Sequence, residues 1–364
     1  MNLQLNLARP SQILFPLSAT IPKIRQQTEM RYFIIIFCIS TLFSWTISKA
    51  QNTDFDYNKI QQISDSIKIK NITIHNLFKS QILAHKNKEF DSLVVVKNIY
   101  LPHKKLWDSC YAQIFGDENA SRFNTEKGMI KWNKTLFDNN KNDLIEKTKT
   151  LTDINLNKLF RKNLKKFNRL VPYQPNAKIS ILFTPITGIG FGGCDSQQFA
   201  LELNNKSLDL NYTLQKGLPH ELNHLVYEKF RNADIDKNSA LSQTIDEGFA
   251  CYFTYIFFDK KISEYEAVEN MTKEDWDWFI KNEKEIFTKT KSYFSDSSGN
   301  NPLLRNDRHK LFPDAPKSLN YWLGFRIVSK YVEKYGKNSW KDIYKLTAKE
   351  VLEKSEYENY IEKL

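Results

Sequence analysis

The chain has 364 residues, 41% hydrophobic and 26% charged, a globular balance with room for one large domain or two small ones. No stretch is so poor in apolar residues that it reads as wholly disordered. The formal charge of +11 is spread as lysine among Asp and Glu and forms no basic stripe with interleaved aromatics, which argues against a nucleic-acid partner.

The first fifty residues carry Arg9, Lys23, Arg25, Arg31 and Lys49 against Glu29 alone. Tyr32–Ile47 is an apolar run broken by Cys38, Ser40, Thr41, Ser44 and Thr46, too short and too polar for a stable span. Arg31 precedes it, and Ser48 and Ala50 supply small residues before a cut at Ala50, so residues 30–50 read as a signal peptide. Met30 stands where such a peptide begins, so residues 1–29 read as an upstream extension. Phe37 occupies the place where a lipobox has a small residue, so Cys38 is not read as an acylation site. The expected mature protein starts at Gln51, is periplasmic or extracellular and has no stable membrane span. It keeps Cys110, Cys194 and Cys251, an odd count whose pairing stays open.

Residues 51–175 are expected to form a helical region, with Leu144, Ile145, Leu151, Ile154, Leu156, Leu159 and Phe160 largely at helical intervals. The period then changes. Ile179–Phe183 reads as a strand. Gly188, Gly190, Gly192 and Gly193 follow, and then Phe199, Leu201 and Leu203 alternate, as do Leu208, Leu210 and Tyr212 beyond a turn at 204–207. The expectation is a small antiparallel sheet, in an α+β, mainly helical fold. Val171–Pro175 marks a weak boundary, with a second domain over 176–364. Helical patterns resume at Pro219, and Ser295–Pro316 reads as a long loop.

The chemistry centres on Leu218-Pro219-His220-Glu221-Leu222-Asn223-His224. Histidines at i and i+4 of a helix share a face and reach one ion, and Glu221 beside them can take a proton from a water that the metal activates. Pro219 suits the first turn of that helix. A catalytic zinc needs a third protein ligand, and Glu247, in Asp246-Glu247-Gly248-Phe249-Ala250, follows on a second, antiparallel helix. Gly248 and Ala250 are expected to let the two helices pack closely. Asp246 is either a partner for a ligating histidine or a helix N-terminal charge. Tyr321 is the first candidate to stabilise an oxyanion and His309 the second. Gly188–Leu203 is either a substrate-binding edge or an ordinary hairpin. His75, His85 and His103 have no partner at ligand spacing and read as structural.

His220-Glu221-x-x-His224 with Asp246-Glu247-Gly248-x-Ala250 resembles the gluzincin zinc metallopeptidases. More narrowly it resembles a family of predicted zinc-dependent proteases and their relatives among gliding-motility lipoproteins. Tyr321–Val328 resembles a helix that such proteins carry after the metal site, so the likeness runs from about Ile179 to Tyr335. It implies a zincin-like sheet over the His220–His224 helix, a Zn2+ cofactor and hydrolysis of a peptide or protein substrate. The competing expectation is a non-catalytic envelope protein of a gliding or secretion machinery that keeps the metal site as a scaffold.

Overall fold

The apolar run from Ile179 to Phe183 is too continuous for a strand with one wet face, and it suits a central strand covered on both sides. In the computed structural model, Ala177–Leu182 (β3) is buried at every position but Lys178. Residues 54–364 are described, apart from 139–140, 188–189, 195–196, 207–208 and 232–233. The signal-peptide reading therefore lies outside the described residues.

Among the described residues five strands form one sheet: β1 (Ser66–Ile69), β2 (Ile72–Asn76), β3, β4 (Phe191–Cys194) and β5 (Gln198–Glu202), in the order β1-β2-β3-β5-β4. The sheet is mixed, not antiparallel as expected. β1–β2 and β4–β5 are antiparallel, whereas β2–β3 and β3–β5 are parallel. Parallel neighbours need a crossover, and the helices between Leu77 and Leu170 form the one from β2 to β3. The region expected to be mostly helical thus contributes a hairpin, turned at Lys70 with a left-handed φ of 53°. The expected boundary at 175 does not divide the sheet, because Ile72 pairs with Ala177 across it. Thr53–Leu364 is one unit.

Side chains alternate across the sheet. Ile72, Ile74, Ile179, Ile181, Phe199 and Leu201 join the larger core. Leu182 and Ala200 point to a second core around Trp107, Tyr111, Phe123 and Met129. The crossover includes α1 (Leu77–Leu83), α2 (Glu126–Lys134), α3 (Lys141–Asp153) and α4 (Leu156–Leu170). Phe160, Leu164 and Phe167 form the buried face of α4, and each such side chain contributes about 1.5–3 kcal/mol. Cys110 is disulfide-bonded and Cys251 is a free, buried thiol.

Beyond the sheet come three long helices, α5 (Leu218–Arg231), α6 (Ala240–Phe257) and α7 (Leu319–Tyr335), with α6 packed against the other two. Leu210–Tyr212, expected as a strand, is instead a short helix capped by Asp209, whose side chain accepts from the Tyr212 N–H. It runs through a π turn, Thr213–Gly217, straight into α5. Pro219 therefore does not begin the helical run. The wider π turn before it relieves the clash that a proline ring makes in regular α winding.

Gly248 meets a helix other than the expected one. A Cβ there would lie 2.0 Å from the carbonyl carbon of Gly324 on α7, and one on Gly324 would lie 1.9 Å from the Thr244 carbonyl oxygen. The two glycines let α6 and α7 cross backbone on backbone. Further along α7, Arg326 Nε bonds the buried Glu283 carboxylate at 2.8 Å, which also accepts from the Tyr357 hydroxyl at 2.6 Å. Ser295–Pro316 holds turns and the short helix Asn306–His309. Among the described residues no helix is long and apolar enough to cross a membrane.

Candidate metal centre

The i, i+4 spacing places His220 and His224 on one face of α5, and Ser239, whose hydroxyl accepts from the Ser242 N–H, starts α6 where Glu247 comes opposite them. Three atoms converge. His220 Nε2 lies 3.2 Å from Glu247 Oε2 and 3.2 Å from His224 Nε2, and His224 Nε2 lies 3.3 Å from Glu247 Oε2. A tetrahedral ion with bonds of about 2.0–2.1 Å needs ligand atoms about 3.3–3.4 Å apart. The triangle has that size, and the residues present fit such an ion.

Supporting contacts orient the ligands. His224 Nδ1 donates to Asp246 Oδ1 at 2.8 Å, and the guanidinium of Arg231 holds the other carboxylate oxygen at 2.5 Å. Asp246 lies well inside α6, so it is a histidine partner and not a helix N-terminal charge. His220 Nδ1 faces the thiol of Cys251 at 3.8 Å. Buried Tyr344 donates to Asn223 Oδ1, tying α5 to the C-terminal segment. Metal ligands whose partners are removed typically bind about 10–100-fold more weakly. Asp246→Ala should therefore weaken metal binding by about that factor in a chelator competition, with the fold retained by circular dichroism. Unchanged affinity would leave His224 oriented by packing alone.

The charges in the site are strongly interdependent. Burial alone would raise the Glu247 carboxyl, but the two imidazoles, His224 foremost, hold it below the usual carboxylate range. Burial disfavours charge on His220 and His224, yet their carboxylate partners raise both. Glu221 is pushed up to about 7, mainly by burial and against the pull of the two histidines. The Glu247 carboxylate, with burial, keeps Tyr321 a protonated phenol, and its ring lies stacked near His220 at 6.1 Å between centroids.

Other expected residues lie elsewhere. His309 is exposed at the end of its short helix, and no described contact joins it to the centre. His85 bonds the Asn133 carbonyl at 2.7 Å, as a structural residue would. His75 and His103 do meet, with rings 4.6 Å apart, but no third ligating side chain joins them among the described residues. Gly188–Leu203 comprises β4, which is an edge of the sheet, and β5.

Three residues near the centre escaped the sequence reading. Cys251 follows Glu247 by four and so shares its face of α6, a signal that was available. Glu269 was not signalled. It is open to solvent along its length, while the protein around its carboxyl raises its pKa by burial. It groups with His220 and Cys251 within 4.8 Å. Tyr212, likewise raised by burial and then by Glu269, was misread as belonging to a strand.

The helices that carry this centre also carry the likeness to known proteins. Residues 205–359 match the family model described as gliding motility protein GldB. The match takes in α5, α6, α7 and all three ligand candidates, and leaves the sheet and the crossover helices outside. No curated protein and no solved structure matches the chain.

Proposed function

We propose that the chain is a zinc-binding protein of the cell envelope that serves a gliding-type machinery, with His220, His224 and Glu247 as ligands. The observation that carries the metal assignment is the triangle of ligand atoms with edges of 3.2–3.3 Å. Two imidazoles and one carboxylate suit zinc, whereas calcium and magnesium prefer all-oxygen sets. The envelope assignment is supported by the match to the gliding motility family, the expected signal peptide and the disulfide at Cys110.

A second reading, hydrolysis of peptide bonds, is favoured by a set of three candidate protein ligands, the number that catalytic zinc sites use, and by Glu221 next to His220, its carboxyl buried. Zinc bound there supplies Lewis-acid activation of water and of a carbonyl. Glu221 then accepts the proton of the attacking water on a carboxylate oxygen and returns it to the leaving nitrogen. Tyr321, kept protonated, donates towards the oxygen on which charge develops. β4, as the last strand of the sheet, would be the one to offer main-chain groups to an extended substrate.

Glu221→Gln separates the two readings, because it keeps size and shape and removes basicity. Under the proposed role the variant keeps its zinc and its fold and restores a deletion strain as well as wild type does. Failure to restore, with zinc and fold intact and peptide cleavage lowered by about a hundred- to ten-thousandfold, would instead establish the hydrolytic reading.

A further inference from the structure

A groove of about 630 Å³ lies outside the family match, where α2 and the helix Asp117–Asn124 meet the chain following β3 and β5. Arg122, Lys127 and Lys131 line it, and among the described residues no carboxylate does. None of the three takes part in an ion pair among the described residues. Trp132, Leu136, Leu144 and Pro185 give it an apolar side.

Its walls are pinned in place. Trp132 Nε1 donates to the Arg122 carbonyl at 3.0 Å, and the Thr125 hydroxyl donates to the backbone carbonyl of Ser121 at 2.6 Å. The Asn204 amide takes both backbone groups of Thr184, accepting from its N–H at 3.0 Å and donating to its carbonyl at 2.7 Å. The Thr184 hydroxyl is left over. Thr184 lines the groove, is 2% exposed, and its Oγ1 has no hydrogen-bond partner among the described residues. A buried hydroxyl without a partner is costly, and such groups call for an explanation.

Three cations and an aromatic side in a groove of ligand size, with an unpaired hydroxyl buried in its wall, favour one chemistry. A phosphate monoester carries nearly two negative charges and three acceptor oxygens, and arginine grips it bidentately. We propose that this groove binds a phosphate monoester borne on an apolar body. The source is a lipid headgroup or a soluble organic phosphate, and the two share this recognition.

The test uses the full chain with two probes: phenyl phosphate in calorimetry, and phosphatidylcholine vesicles with and without phosphatidic acid in co-sedimentation. The double variant Arg122→Gln/Lys131→Gln and the single variant Thr184→Val should each weaken phenyl phosphate binding about tenfold or more, some 1.4 kcal/mol. Thr184→Val replaces an unpaired hydroxyl with a methyl group, so its thermal stability should hold or rise. Lys273→Gln/Lys349→Gln removes the same charge from exposed positions elsewhere and should change nothing. Gain of binding on phosphatidic acid vesicles supports the lipid source, and binding of phenyl phosphate alone supports the soluble one. No binding of either probe by wild type, or equal losses in the groove and control pairs, would overturn the proposal.

Discussion

Gly324→Ala is expected to cost about 3 kcal/mol or more in chemical denaturation, a large share of a typical total stability of 5–15 kcal/mol. At an ordinary helix position the same change gains about 1 kcal/mol, because alanine is the better helix former. Here the added methyl carbon would lie 1.9 Å from the carbonyl oxygen of Thr244 and 2.9 Å from Cα of Gly248. Backbone cannot rotate away as a flexible side chain would, so α6 and α7 must move apart and the surrounding core must open with them. Gly248→Ala should cost a similar amount, since its methyl would lie 2.0 Å from the Gly324 carbonyl carbon. The double variant should cost less than the sum, because one displacement of the helices makes room for both methyls. Glu247 is the neighbour of Gly248, and Tyr321 lies one turn before Gly324, so surviving folded protein should also bind metal more weakly. A Gly324→Ala protein as stable as wild type would show that the two helices cross less closely than described.

The site was far more legible in the sequence than the sheet. Helical periodicity alone puts His220 and His224, four apart, on one face, whereas Glu247 was pointed to by the third ligand that a zinc site needs and by the resemblance to a known motif. The sequence left Asp246 open between a histidine partner and a helix N-terminal charge, and Arg231, which holds it, carried no signal beyond its charge. The hairpin Ser66–Asn76 was missed although Ile67 and Ile69, then Ile72 and Ile74, alternate around a turn at Lys70-Asn71. Strands of four and five residues are too short for period two to stand out amid helical neighbours. Whether the strands ran parallel was not legible either, since that depends on the crossover returning to the same sheet. Leu208, Leu210 and Tyr212 fit period two by residue type, yet Asp209 caps a helix there. In that segment the capping carboxylate outweighed a pattern of three apolar residues. The groove around Thr184 depends on segments far apart in the chain, and no local pattern announces it.

His220→Ala, His224→Ala and Glu247→Ala should each lower zinc affinity by about a hundred- to a thousandfold. Apparent zinc binding energies of about 10–16 kcal/mol in structural sites, shared over four ligands, put roughly 2.5–4 kcal/mol on each. The triangle is nearly equilateral, so no single ligand is expected to dominate. The Glu247 variant is the most informative of the three. Its loss leaves two histidines of α5 facing one another, and of the three proposed ligands it removes the one that α6 contributes. Zinc should also raise the melting temperature of wild type, because an ion held by α5 and α6 together favours the folded state. That rise should vanish in all three variants. A histidine variant that retains wild-type affinity would place the ion elsewhere, for instance at the grouping of His220, Cys251 and Glu269 if His224 proved dispensable.

The most direct test is elemental analysis of wild type and Glu247→Ala, both purified without chelator and confirmed folded by circular dichroism. The predicted result is about one zinc per wild-type chain and almost none in the variant. Wild type free of metal after incubation with zinc, or a Glu247→Ala protein carrying the full complement, would contradict a centre built from His220, His224 and Glu247.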